Sequence, residues 1–258
     1  MDIAHLPPGY IEWPAPVALR DSVACLWAQV AGDEDRAGLV LPDGCTDLIW
    51  TQGQGASVAG PDTGPVPTTM AAGTVLLGVR FRPSAGGPVL GIPLSELRDQ
   101  RVDLADLRSA EARRLSATLD PATAAARVLD VTGALVDTAR LDPAVAEVAR
   151  LLHDPRARAE DVADDVGLSP RQLRRRFHAS VGYGPKTLQR VLRFRRFVSR
   201  IDALPQNPQN LQGPQRPDGL DLAGLAVQAG YADQAHLTRE CGRLAGLTPA
   251  ILARQRAA

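Results

Sequence analysis

Two segments in the second half of this chain repeat one another. VADDVGLSPRQLRRRFHASVGYGP ends at Pro185, and LAVQAGYADQAHLTRECGRLAGLTP ends at Pro249. Each begins with a short apolar helix pattern and a glycine, Gly167 or Gly230. An apolar residue follows (Leu168, Tyr231), then a polar N-cap (Ser169, Asp233) and a second helix pattern that closes on Gly-x-x-Pro or Gly-x-Thr-Pro. Counted back from the closing prolines, Leu173 aligns with Leu237 and Phe177 with Cys241, and the second copy carries one extra residue in its turn. A pattern of this kind is met by two helix-turn-helix units. Glycine tolerates the turn backbone, apolar residues on both helices lock the crossing, and the second helix keeps an outer face free.

The charge distribution follows the repeat. The chain has 29 basic and 29 acidic residues, yet residues 167–200 hold ten Lys or Arg and no Asp or Glu. Residues 1–140 carry a net −6 and residues 141–258 a net +6. Opposite signs on the two halves imply two domains with different partners, the positive one facing a polyanion. Between the repeats, GPKTLQRVLRFRRFVSRI reads as one long basic helix, with 185–201 linking the units. PQNPQNLQGPQRPDG (205–219) reads as a loop.

On the first unit the outer face of the second helix is Arg171, Gln172, Arg174 and Arg175. Arginine pairs with guanine O6 and N7, and glutamine with adenine, in the major groove. On the second unit that face is Gln234, Ala235, His236 and Arg239, with Thr238 and Arg243 toward phosphate. Lys186 and Arg190, on the linking helix, are expected to lie along phosphates and release counterions.

With these residues in place, 142–256 resembles the DNA-binding domain of the AraC/XylS family of transcription regulators. GLSPRQLRRRF, GPKTLQRVLRFRRF and GYADQAHLTRE…GLTPAILAR carry the resemblance. It implies double-stranded DNA as partner, with half-sites about 10 bp apart. It also implies RNA polymerase as a partner where the protein activates, which is the family's habit. Two departures stand out. The 205–219 connection is longer than the family's, and Cys241 stands where phenylalanine is usual, with Glu240 beside it. The arginine-rich first unit is therefore expected to supply most of the affinity.

The first half reads differently. VACLWAQV (23–30), TDLIW (46–50) and GTVLLGVRF (73–81) are strand-like runs broken by QGQGAS and GPDTGPVPTT. EARRLSATL and PATAAARVLDVTGALVDTA have helical spacing, with Asp120 as N-cap and Pro121 in the first turn. They are read as a helical hairpin that closes the domain or forms a homodimer seam. Residues 6–107, through LPDGCTDLIW and GVRFRPSAGGPVLGIPLSELRDQRVDLADL, resemble the N-terminal domain of many actinobacterial members of the same family. That resemblance implies a cupin-like β-barrel. The whole chain is thus expected to be α+β and multidomain: a barrel with a helical hairpin over 1–140 for a small-molecule effector, and an all-α double helix-turn-helix over 142–258.

Several residues of the first half are candidates for an effector pocket. Asp47 is either a turn partner or a pocket carboxylate. Arg80 and Arg82 flank Phe81 and by alternation share a face, toward solvent or clamping an anion inside a barrel. Trp50, with Trp13 and Trp27, either walls a pocket or fills the core. Cys45 lies in a turn, where it is either an accessible thiol for redox or electrophile sensing or a quiet buried one.

Other functions find little in the sequence. The four histidines lie in separate contexts, so no metal or other cofactor is expected. There is no phosphate loop and no nucleophile with an evident base, so the chain is read as a non-enzyme, and a DNA-repair alkyl acceptor is disfavoured by the lack of a cysteine cluster. No membrane span or secretory signal is read, and three scattered cysteines fit a reducing cytoplasm.

Overall fold

The alternation of apolar residues in the first half builds an antiparallel sheet with one buried face. The structure, a computed structural model, describes residues 6–204 and 220–257; the expected 205–219 loop lies outside them. The strands are β1 (Gly9–Pro14), β2 (Val23–Val30), β3 (Arg36–Val40), β4 (Thr46–Thr51), β5 (Gly55–Ala59), β6 (Val66–Met70), β7 (Val75–Phe81) and β8 (Arg101–Asp103). Six of them form one sheet in the order β1-β2-β7-β4-β5-β8, and β3 pairs with β6 in a separate ribbon.

One face of the sheet carries Leu26, Ala28, Leu48, Trp50, Val58, Leu77, Val79 and Phe81 into the core. Opposite it lies the helix α4 (Pro121–Thr138), whose Ala124, Ala125, Val128, Val131 and Leu135 complete the same core. Asp120 caps α4 as expected, accepting from the Thr123 amide. Short helices α1 (Gly86–Leu90), α2 (Leu104–Leu107) and α3 (Ser109–Arg114) fill the ends.

Two expectations are corrected here. The sheet does not close into a barrel: among the described residues β1 and β8 are its edges, and β3 and β6, which lie outside it, pair with each other. A helix covers the apolar face, so that face is buried without closure. The helical hairpin is shorter than expected: its α3 arm ends at Arg114 and buries no residue, while the apolar side of α4 packs on the sheet within the domain.

Among the described residues the second half holds helices and no strand: α5 (Pro143–Leu151), α6 (Val162–Asp165), α7 (Pro170–Val181), α8 (Pro185–Asp202), α9 (Leu222–Ala229), α10 (Gln234–Ala245) and α11 (Pro249–Ala257). The turn glycines of the repeat have left-handed backbone, φ +66° at Gly167 and +93° at Gly230. Helices α5, α6 and α7 share one core, and α9, α10 and α11 another. Helix α8 belongs to both, giving Leu188 and Leu192 to the first and Val191, Phe194, Phe197 and Ile201 to the second. No described helix is long and apolar enough to cross a membrane.

Phe81, fully buried where β7 meets β2 and β4, tests the helix-backed sheet. Phe81→Ala is expected to cost about 3–5 kcal/mol, read from urea unfolding of the full chain.

Candidate nucleic-acid interface

Helix α7 is defined at its start by a capping box. Ser169 Oγ accepts from the Gln172 amide at 3.3 Å, and Gln172 Oε1 accepts from Ser169 N at 3.0 Å. Leu173, Phe177 and Val181 turn inward, which sends Arg171, Gln172, Arg174 and Arg175 outward, all four exposed. Among the described residues, Arg171, Arg174 and Arg175 have no ion-pair partner. The box holds Gln172 Oε1, so paired reading of adenine by this residue would first break the cap. Arg176 turns aside to Asp142, the N-cap of α5, at 3.3 Å.

Helix α10 repeats the arrangement. Asp233 caps it through the His236 amide, and Leu237, Cys241 and Leu244 face the core. Gln234, Ala235, Thr238 and Arg239 are exposed. Thr238 Oγ1 donates to the Gln234 carbonyl at 2.9 Å, and half-buried His236 stands edge-on to the Tyr231 ring, centroids 5.2 Å apart.

The linking helix departs from expectation. Lys186 is exposed, 3.8 Å from Glu160. Arg190 is not free for phosphate: its Nε lies 2.8 Å from Glu240 Oε2 and its Nη2 3.3 Å from Oε1. Glu240 is only 7% exposed on α10 and also meets Arg243 at 3.4 Å. Further along α8, Arg196 donates to the carbonyls of Ala229 and His153, Arg200 to Gln228 Oε1, and Arg193 stacks over Tyr231. These arginines tie the ends of neighbouring helices together. The signal for the Glu240 pair was an acid directly beside Cys241, which the repeat aligns with buried Phe177.

The effector candidates of the first domain separate. Asp47 and Arg80 are register partners on β4 and β7, on the sheet face away from the core. Arg80 gathers three carboxylates: Asp47 at 3.2 Å, Asp43 at 3.2 Å and Glu12 at 3.0 Å. Trp27 Nε1 donates to Asp47 at 3.3 Å. Burial pushes the Asp47 carboxyl up to about 6, against the pull of Arg80. Trp50 points the other way, into the core, with Nε1 on the Ser116 carbonyl. Arg82 lies past the end of β7 and donates to the Arg20 carbonyl at 2.7 Å, so it does not share the Arg80 site.

Cys45 is buried rather than accessible. Asp43 closes its turn by accepting from the Cys45 amide at 2.8 Å, and burial raises the thiol well above its ordinary value. Cys25 is half-buried and pushed up to about 11 by desolvation. Neither supplies a thiolate at neutral pH. Among the described residues no three His, Cys, Asp or Glu gather as a metal site. Two clefts lie between the halves: one of about 300 Å³ lined by Thr63, Thr187, Arg190, Val191, Arg243 and Leu244, the other of about 510 Å³ between β3 and α11. None of Asp47, Trp50, Arg80 or Arg82 lines either cleft.

Residues 11–103 match a family model described as a domain of unknown function, DUF6597. No curated protein matches the chain. Seven chains among solved structures match it. An apo ToxT variant from Vibrio cholerae strain SCE256 is 10% identical over 89% of this chain and 97% of that one, with a TM-score of 0.45. ToxT from Vibrio cholerae O395 is 9% identical over the same shares, also at 0.45. ToxT of strain SCE256 with an unsaturated fatty acid bound is 10% identical over 87% and 88%, at 0.38.

Two outcomes follow from the buried charges. Glu240→Ala leaves Arg190 uncompensated in the packed helix junction and is expected to cost roughly 3 kcal/mol in urea unfolding. Asp47 titrates higher folded than unfolded, so the folded chain holds its proton more tightly. Its contribution to stability is therefore full below about pH 4 and is lost as pH rises through about 6. Unfolding midpoints at pH 5 and pH 7 are expected to differ by less in Asp47→Asn than in the parent chain, by that contribution.

Proposed function

We propose that this chain is a sequence-specific, double-stranded-DNA-binding transcription regulator of the AraC/XylS type. Residues 142–258 read DNA, and residues 1–140 take a small-molecule effector. The observation that carries the reading is the outer face of α7. Three exposed arginines with no ion-pair partner among the described residues stand on a well-capped helix whose inner face is fixed in a core. A second capped helix, joined to it through α8, presents Gln234, Ala235, Thr238 and Arg239. This is the donor chemistry that major-groove edges and phosphates accept.

The first domain supports an effector-controlled reading because it packs against α7, α8 and α10 rather than hanging from a linker. An effector that binds one packing arrangement better than another shifts how the reading helices are presented. By family habit the outcome is activation through RNA polymerase, in the cytoplasm.

The test starts from a random duplex pool, selected on the purified full chain. Arg174→Ala combined with Arg175→Ala is expected to weaken binding to the recovered duplex by roughly 100-fold, and Arg239→Ala by about tenfold. Recovery of no preferred sequence would overturn the reading. With Arg171, Arg174, Arg175 and Arg239 each meeting a phosphate, log K is expected to fall with log salt at a slope of about −4, against about −2 in the double variant.

A further inference from the structure

The stretch GPDTGP, residues 60–65, connects β5 to β6 and reads in sequence as a strand breaker. In the structure it is among the most tightly held loops of the first domain. Asp62, 7% exposed, accepts from both terminal nitrogens of Arg101, at 2.9 and 2.7 Å. Asp99 accepts from the Thr63 amide at 2.6 Å and from its hydroxyl at 2.9 Å, and donates its own amide to Pro61 O at 3.2 Å. Asp99 is the one described non-glycine residue with positive φ, +60°, a conformation that costs free energy and persists where its surroundings require it. At Gly60 a methyl would fall 1.7 Å from the Leu97 carbonyl oxygen, so no larger residue fits.

Held from inside, the loop presents two prolines four residues apart to the second domain. Pro61 packs on buried Gly182, and Pro65 lies beside Gly246, which stays exposed. Those glycines are equivalent in the repeat: each is the left-handed C-cap of a reading helix, at φ +90° after α7 and +67° after α10. A methyl on Gly182 would stand 2.6 Å from the Pro61 ring and 3.1 Å from the Leu94 carbonyl; one on Gly246 would stand 3.6 Å from the Pro65 ring. Between the prolines, Thr63 faces the cleft walled by Thr187 and Arg190 of α8 and by Arg243 and Leu244 of α10.

We infer that Gly60–Pro65 is a two-point clamp that fixes the relative rotation of the two reading helices about α8. Through it, the state of the first domain is passed to both at once. Helix α8 holds each unit along its own surface, through apolar side chains and, for the second unit, arginine bonds. The prolines add attachments at the C-terminal ends of α7, next to the start of α8, and of α10. Both prolines hang from one segment anchored by β8 through Arg101 and by Asp99, so any shift of those anchors moves both helix ends together. This rests on the reading of α7 and α10 as DNA-binding helices.

The test uses the full chain with Asp62→Asn and Asp99→Gly together, which frees the loop without touching the second domain; Thr63→Ala is the milder variant should the pair not fold. Without DNA, amide hydrogen exchange at residues 181–184 and 245–248 is expected to quicken about tenfold at both sites. With duplexes selected on the parent chain, lengthening the spacing between half-sites by two base pairs is expected to cost the parent about tenfold and the variant under about threefold. Unchanged exchange at either helix end, or a parent-like spacing preference in the variant, overturns the clamp. If no duplex is recovered at all, the DNA reading falls and the exchange result alone decides whether the loop holds both ends.

Discussion

One helix serving two cores is the constraint on which the helical half depends. In its eighteen residues α8 buries Leu188 and Leu192 in the first core and Val191, Phe194, Phe197 and Ile201 in the second. Each such side chain is worth about 1.5–3 kcal/mol when fully buried. Neither unit therefore leaves α8 without unfolding. The same arrangement explains the arginines. A helix with apolar residues on two faces has only narrow flanks for charge, and those flanks abut neighbouring helix ends. Arg190, Arg196 and Arg200 meet an inward acid, backbone carbonyls and a glutamine there. A basic run that looks like a phosphate track in sequence is largely internal bonding.

The first domain docks on α7 and α8 where its glycines stand close to their neighbours. A methyl on Gly87 of α1 would stand 2.3 Å from the Ala179 carbonyl of α7, and one on Gly44 would stand 3.0 Å from Leu188 of α8. Arg195 of α8 donates to the Asp43 carbonyl at 3.4 Å, and the Asp43 carboxylate is one of the three around Arg80. The charged cluster on the outer sheet face thus shares Asp43 with the turn that touches α8. A ligand or proton that rearranged Asp43, Asp47 and Arg80 would act on α8 directly, whereas the clamp acts on the ends of the reading helices.

Legibility in the sequence followed the range of the contacts. The double helix-turn-helix could be read because its signals are local: caps at Ser169 and Asp233, turn glycines, and apolar residues three and four apart. The strands at 23–30, 46–51 and 75–81 were legible for the same reason, but the pairing of Asp47 with Arg80 depends on a register between β4 and β7 that alternation within one strand does not give. Strands β1, β3, β5, β6 and β8 are short or polar on an exposed side, and only pairing with distant partners defines them. Arg190 was misread because its partner lies fifty positions away, at Glu240. GPDTGP was read as punctuation because its anchors, Asp99 and Arg101, are nearly forty residues on, and its targets, Gly182 and Gly246, farther still.

The pairing of Glu240 also makes the two units unequal. It draws in Arg190 and reaches Arg243, so the second reading helix keeps Arg239 as its outward cation without an ion pair, against Arg171, Arg174 and Arg175 on the first. Nonspecific attraction to phosphate scales with the number of free cations, so on the proposed DNA-binding reading the first unit makes the grip. The second unit, with little electrostatic pull of its own, gains from DNA only when it is already held at the right rotation. A weakly charged reader benefits most from preorganisation, because the ordering cost it avoids is large relative to the contacts it makes. The same acid that staples α10 to α8 therefore leaves the second unit dependent on whatever sets its orientation, and in this fold the segment touching both reading-helix ends belongs to the first domain.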